Sequence, residues 1–198
     1  MKQIFTFAIV AALMCISCGD DDQGSVTLPT GCSSQGIFAT FVLDQALTCI
    51  PTNGFTDVEE ALGSPDAITT GRGRLEFDGM LSLGVDGSVT LFMGSCIQDL
   101  PGPDIRVYQV VSEEAVEVQV SQNEDGPFVS LGEKNCGEPA SGFAAKCDFD
   151  LAGSGLNNIR IVRVIDREEI TFPGAECDNV GPSPGADLDA VEVLHPGT

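Results

Sequence analysis

Ala115-Val116-Glu117-Val118-Gln119-Val120-Ser121, followed by Asn123-Glu124-Asp125-Gly126 and Phe128, is the stretch that decides the fold. Its apolar residues recur at every second position, so Val116, Val118 and Val120 face one way while Glu117 and Gln119 face the other. A period of two is that of a strand with one face in a core and one in water. The Asn-Glu-Asp-Gly run after it supplies residues that tolerate positive φ, which predicts a hairpin turn into a second strand at Phe128.

Moving outward, the same signals predict strands over 36–43, 74–77, 80–83, 88–93, 105–111, 115–121, 128–131, 159–165 and 188–194. Clusters of Gly, Pro and Asp separate them. Helical periodicity is nearly absent, and Val58 to Leu62 offers a turn or two at most. Short strands punctuated in this way predict an all-β antiparallel β-sandwich, with the jelly roll as the expected topology. No repeat of fixed period occurs.

Thirty acidic residues against nine basic ones give a formal net charge of −21, which argues against nucleic acid as a partner and favours divalent cations. Of eight cysteines, Cys15 and Cys18 lie in the first eighteen residues, leaving Cys32, Cys49, Cys96, Cys136, Cys147 and Cys177. No Cys-x-x-Cys spacing suggests a metal-thiolate cluster, so six cysteines in one domain predict three disulfides and an oxidising compartment. Six cysteines allow fifteen pairings. Only Cys136 with Cys147, across a loop of Gly and Pro, is locally favoured.

The N-terminus carries a positive charge at Lys2, continues through an apolar run over 4–14 that is too short to span a bilayer, and reaches Ser17-Cys18-Gly19. It resembles a bacterial lipoprotein signal, although Cys15 stands where that family prefers Leu. The resemblance implies cleavage over 1–17, acylation of Cys18 and a lipid anchor in the outer membrane or at the cell surface, with a periplasm-facing position as the alternative. Cleavage before Cys18 removes Cys15 and leaves an even number of cysteines, whereas modification of Cys15 strands one. Residues 18–35, with Asp20-Asp21-Asp22, read as a flexible acidic tether, and 36–198 as the sandwich domain, its folded part beginning near Cys32 to Ile37.

A second resemblance covers most of 61–195. Ala61-Leu62-Gly63-Ser64-Pro65-Asp66, Leu81-Ser82-Leu83-Gly84, Asp99-Leu100-Pro101-Gly102-Pro103-Asp104, Ile161-Val162-Arg163-Val164-Ile165-Asp166 and Asp187-Leu188-Asp189-Ala190-Val191 follow one another in the order of an uncharacterised group of bacterial cell-surface domains. That group is similar to the galactose-binding-like, discoidin-type jelly roll. The resemblance implies a fold and no activity. Where the group usually has Phe-Glu-Asn, this chain has Tyr108-Gln109-Val110.

Asp187 and Asp189 are two apart on an extended segment, so their carboxylates are expected on one side of the strand, within reach of one cation. About 5 Å apart, they would repel by roughly 3 kcal/mol at an effective dielectric near 20, which a cation relieves. Carbohydrate-binding modules of this jelly-roll type use a strand reading Asp-x-Ile/Val-x-Val/Phe for structural calcium, and Asp189-Ala190-Val191-Glu192-Val193 is similar. Asp104, behind two prolines, and Asp166, at the end of a neighbouring strand, complete the candidate Ca2+ set. The competing reading makes these aspartates turn formers that bind loop amides. Asp99, Asp148, Asp150 and Asp178 are weaker candidates of the same kind.

Catalytic motifs are missing. The sole histidine, His195, reads as a solvated residue on a frayed strand, and no Gly-x-Ser-x-Gly elbow, zinc-site histidine pair or phosphate loop occurs. The expectation is a non-enzymatic, membrane-anchored lipoprotein that binds a glycan, matrix or partner protein. The alternatives are an assembly subunit of an envelope complex and, less favoured, a hydrolase. With no Trp and only Tyr108, sugar stacking would fall to loop residues such as Phe55, Phe143 and Phe172.

Overall fold

A computed structural model describes residues 31–32, 36–48, 55–67, 79–110, 114–137, 145–167 and 185–197. Among them, Val116, Val118 and Val120 have no exposed surface while Glu117 and Gln119 are half-buried, so the deciding stretch is a one-sided strand. It forms β5 (Ala115–Ser121) in a set of nine. The others are β1 (Ala39–Ala46), β2 (Leu81–Ser82), β3 (Ser88–Ile97), β4 (Ile105–Gln109), β6 (Val129–Asn135), β7 (Ala145–Phe149), β8 (Ile159–Asp166) and β9 (Asp187–Val193). A 3-10 turn at Val58–Ala61, capped by the Asp57 carboxylate, is the sole helical element among the described residues.

Two antiparallel sheets pack face to face, one in the order β1-β3-β8-β5-β6 and the other β2-β9-β4-β7. Successive strands alternate between the sheets except at the β5–β6 hairpin, the wrapped path of a jelly roll. At that hairpin the Gly126 amide donates to the Asn123 carbonyl at 3.1 Å, and Gly126 takes φ 85°, the conformation the turn requires. Leu91, Met93, Val118, Val162 and Val164 from one sheet meet Val107, Phe149, Leu188 and Val191 from the other in a single core. Strand β3 is buried over nearly its whole length: it lies between β1 and β8, and β8 side chains rest on its outer face, Arg160 over Phe92 and Arg163 on Thr90.

Strand β7 lies outside the sequence expectation. Ala145, Cys147 and Phe149 are buried and Lys146 is exposed, but five residues with two charges carry too little apolar signal to stand out from a loop. The strand predicted over 74–77 lies outside the described residues. Residues 31 and 32, assigned from sequence to the tether, are fastened to the sandwich: Cys32 is bonded to Cys96 at the end of β3, and the Gly31 carbonyl accepts from Arg160 at 2.9 Å.

The second disulfide, Cys136–Cys147, joins the end of β6 to β7. These are edge strands of different sheets, so the bridge clamps the two layers together at one side. It is the pairing the sequence favoured. Cys49 and Cys177 lie outside the described residues, as do Cys18 and everything before residue 31. Among the described residues no helix is long and apolar enough to cross a membrane.

Candidate functional site

Asp104 has no exposed surface, and its position follows from the stiff Pro101-Gly102-Pro103 loop that delivers it to the start of β4. Its Oδ1 accepts from the Leu100 amide at 3.2 Å and lies 2.8 Å from His195 Nδ1. Its Oδ2 accepts from the Leu151 amide at 2.8 Å. The Asp104 main chain adds bonds to Phe149 and Leu194, so one residue ties together three chain segments. Carboxylate oxygens of Asp99, Asp104 and Asp150 lie within 4.8 Å of one another. That donor set is hard oxygen, the kind a calcium ion takes, although three oxygens are fewer than its six to eight. Part of Asp104's capacity is already used by the two amides and the imidazole.

Asp166 is likewise buried, and its two oxygens accept from the Ala186 amide at 2.8 Å and the Asp86 amide at 3.0 Å. Asp189 is 2% exposed, and its Oδ1 accepts from the Asp66 and Ala67 amides at 3.1 and 3.3 Å. Burial pushes the Asp189 carboxyl above its ordinary value; the two amides oppose that rise, and the nearby charges of Asp66 and Glu60 reinforce it. Asp187 is buried too; its amide donates to Glu114 Oε2 at 3.2 Å and its carbonyl accepts from Val110.

The four predicted ligands do not share one shell. The Asp104 carbonyl meets Leu194, beyond the end of β9, whereas Asp187 begins that strand. Seven residues of extended chain separate them by about 20 Å. Asp166 lies at the Asp187 end through its bond to Ala186. The regular alternation that would align Asp187 with Asp189 is also broken, since β9 has one more residue than β4 where Tyr108 pairs with Ala190 and Gln109 with Leu188. The turn-former reading describes Asp104, Asp166 and Asp189 in that all three carboxylates accept main-chain amides.

His195 departs from the sequence reading: its side chain is 30% exposed and rests on the buried Asp104. Nothing in the sequence pointed to that contact, because it depends on β4 pairing with β9, which sets Ile105 against Val193. Asp150 joins Asp104 in the same way, through the pairing of Ile105 with Phe149, while Asp99 lies on the loop that the Leu100 amide closes onto the Asp104 carboxylate. Tyr108 is no sugar platform: it is 8% exposed, its hydroxyl donates to Glu192 at 2.6 Å, and Lys146 lies over its ring. Phe55 is half-buried; Phe143, Phe172 and Asp178 lie outside the described residues.

Asp148 is accounted for by Arg106, whose Nε and Nη2 donate to its two oxygens at 2.6 and 2.8 Å. That guanidinium holds the Asp148 carboxyl below its usual range against the opposing effect of burial. Among the described residues Gln109 is the exception in the set of buried polar groups. Its side-chain nitrogen and oxygen are both buried and have no partner there, and strand alternation puts it on the same inner face as Ile105 and Val107.

No protein-family model matches the chain, and no curated protein matches it either.

Proposed function

We propose that this protein is an exported bacterial lipoprotein, acylated at Cys18 and held at the outer membrane or cell surface, whose jelly-roll domain binds a glycan, matrix or partner protein and carries out no catalysis. The observation that carries the reading is the Cys32–Cys96 disulfide. It fastens the chain to β3 shortly after the acidic tether, so tension from a membrane anchor would fall on a covalent bond. Disulfides of this kind form and persist outside the cytoplasm. Main-chain amides occupy the carboxylates of Asp104, Asp166 and Asp189, which suits a framework better than an acid–base pair.

Calcium belongs to the same proposal as a structural ion, with Asp99, Asp104 and Asp150 as its best-placed ligands. The galactose-binding-like assignment is supported by motif order and by the two-sheet architecture.

Metabolic labelling with an alkyne fatty acid tests the anchor. The wild type and Cys15→Ala are expected to label and to sediment with membranes, and Cys18→Ala to do neither. Labelling that survives Cys18→Ala would overturn the assignment.

A further inference from the structure

The outer face of the five-stranded sheet carries a row of polar side chains set by register. Asp44 of β1 pairs with Thr90 of β3, Thr90 with Arg163 of β8, Arg163 with Gln119 of β5, and Gln119 with Ser130 of β6. At one side of this row, Leu43, Asp44, Glu124, Asp125, Phe128 and Arg163 line an open-sided hollow of about 470 Å³. Glu124, Asp125 and Phe128 come from the segment that joins β5 to β6.

Arg163 is held in place. Its Nε donates to Thr90 Oγ1 at 2.9 Å, and its guanidinium carbon lies 3.8 Å from the centre of the Phe128 ring. Two contacts of different kinds fix the plane, so little rotamer freedom is left to lose on binding. Among the described residues neither Nη atom has a hydrogen-bond partner, and no carboxylate oxygen comes within the 4.0 Å of an ion pair. This is notable because three carboxylates line the same hollow. Register explains the gap: Asp44 and Arg163 are separated by β3, two strand spacings or about 10 Å between backbones.

We propose that this hollow is the ligand site and that its ligand is a neutral, hydroxyl-rich glycan; the inference rests on the reading of the domain as a surface binding module. Three carboxylates against one guanidinium leave the lining negative, which disfavours sulfated or uronate sugars, and the whole chain at −21 reinforces that field. A cationic peptide would meet the guanidinium. Neutral hydroxyls suit both signs, because a hydroxyl donates to Asp44, Glu124 or Asp125 and accepts from the Arg163 Nη groups. Leu43 and Phe128 add apolar surface for the C–H side of a ring, the mixture of apolar lining and a few fixed polar groups that small-ligand sites use.

The test uses the full-length protein, extracted in detergent, on three immobilised panels: neutral oligosaccharides, sulfated and uronate oligosaccharides, and lysine-rich peptides. The expected result is binding to at least one neutral oligosaccharide that persists at about 0.5 M salt, where surface charge attraction is screened. Arg163→Lys keeps the charge and loses the planar fork, and Asp44→Asn removes an acceptor's charge; each is expected to weaken binding by about tenfold or more. Arg106→Lys, at the pair with Asp148, is the control and leaves binding unchanged. Melting curves verify folding, and should Arg163→Lys fail to fold, the exposed Asp44→Asn decides. Neutral-glycan binding that survives both variants would overturn the site. Binding confined to charged glycans or peptides, or to nothing on the panels, would overturn the ligand class, and fatty-acid labelling reports on the anchor independently of all these outcomes.

Discussion

His195 Nδ1 lies 2.8 Å from Oδ1 of Asp104, a carboxylate with no exposed surface that also accepts the Leu100 and Leu151 amides. The only histidine of the chain therefore closes the last strand onto the loop before β4. Asp104→Asn would set an amide N–H₂ against one of those donors, and a loss of about 1–3 kcal/mol is expected. His195→Ala leaves both amides satisfied and is expected to cost about 1 kcal/mol. Urea unfolding measures both. An Asp104→Asn midpoint equal to that of wild type would show that the three contacts contribute nothing to stability.

Asp189 makes a pH-dependent prediction. Its carboxyl is raised by burial, so the native state holds the proton more tightly than the unfolded chain does. The corresponding stabilisation is present below the unfolded value, about 3.9, and is lost as pH rises through the raised native value. Asp189→Asn keeps an oxygen for the Asp66 and Ala67 amides and has no charge to desolvate. In chelator, its melting temperature relative to wild type is expected to climb from acid pH to neutrality; a flat difference would contradict the burial argument. In excess calcium, Asp150→Asn is expected to remove any calcium-induced rise and Asp189→Asn to leave it. The reverse pattern would move the ion to Asp189.

The two disulfides differ in the loop each closes, 64 residues for Cys32–Cys96 and 11 for Cys136–Cys147. The chain-entropy relation gives about 4 and about 3 kcal/mol respectively. Replacing both cysteines of each pair by serine is expected to lower stability in that order, read by denaturant midpoint. Thiol titration of the unfolded, unreduced domain lacking residues 1–18 is expected to find none free, as three bridges require. Two reactive thiols would leave the domain with two bridges.

Gln109 has an amide whose two polar atoms are buried without partners among the described residues, a situation that costs about 1–3 kcal/mol. Gln109→Met keeps the length and removes the polar atoms. It is expected to raise stability by about 1 kcal/mol, or about 2–4 °C in melting temperature for a domain of this size. A clear fall would show that the amide has a partner in solution.

Individual residues show how far the chain alone could be read. The β5 strand and its turn were legible because their information is local: alternation over 115–121 and a Gly at 126 need no knowledge of any other segment. The Cys136–Cys147 pair was legible because a short loop joins its members. Strand β7 was not, since Lys146 and Asp148 dilute its pattern and pairing with β4 is what holds it. The candidate metal residues failed as a set for a similar reason. Asp104 read as a loop residue and Asp189 as a strand residue with no distance between them, and only the direction of β9 against β4 puts them at opposite ends of a sheet.

From its sequence by itself, the chain determined an all-β, acidic, cysteine-bearing sandwich, because strand period, turn residues, charge and cysteine count are sums or short-range patterns. The tertiary structure alone decided that Asp104 meets His195, that Asp150 joins it, and that Arg163 rests on Phe128, its outer nitrogens without a partner among the described residues. The contacts with His195, Asp150 and Phe128 each span tens of residues and depend on strand register. A shift of one residue turns every side chain of a strand to the opposite face, so no local pattern can specify them.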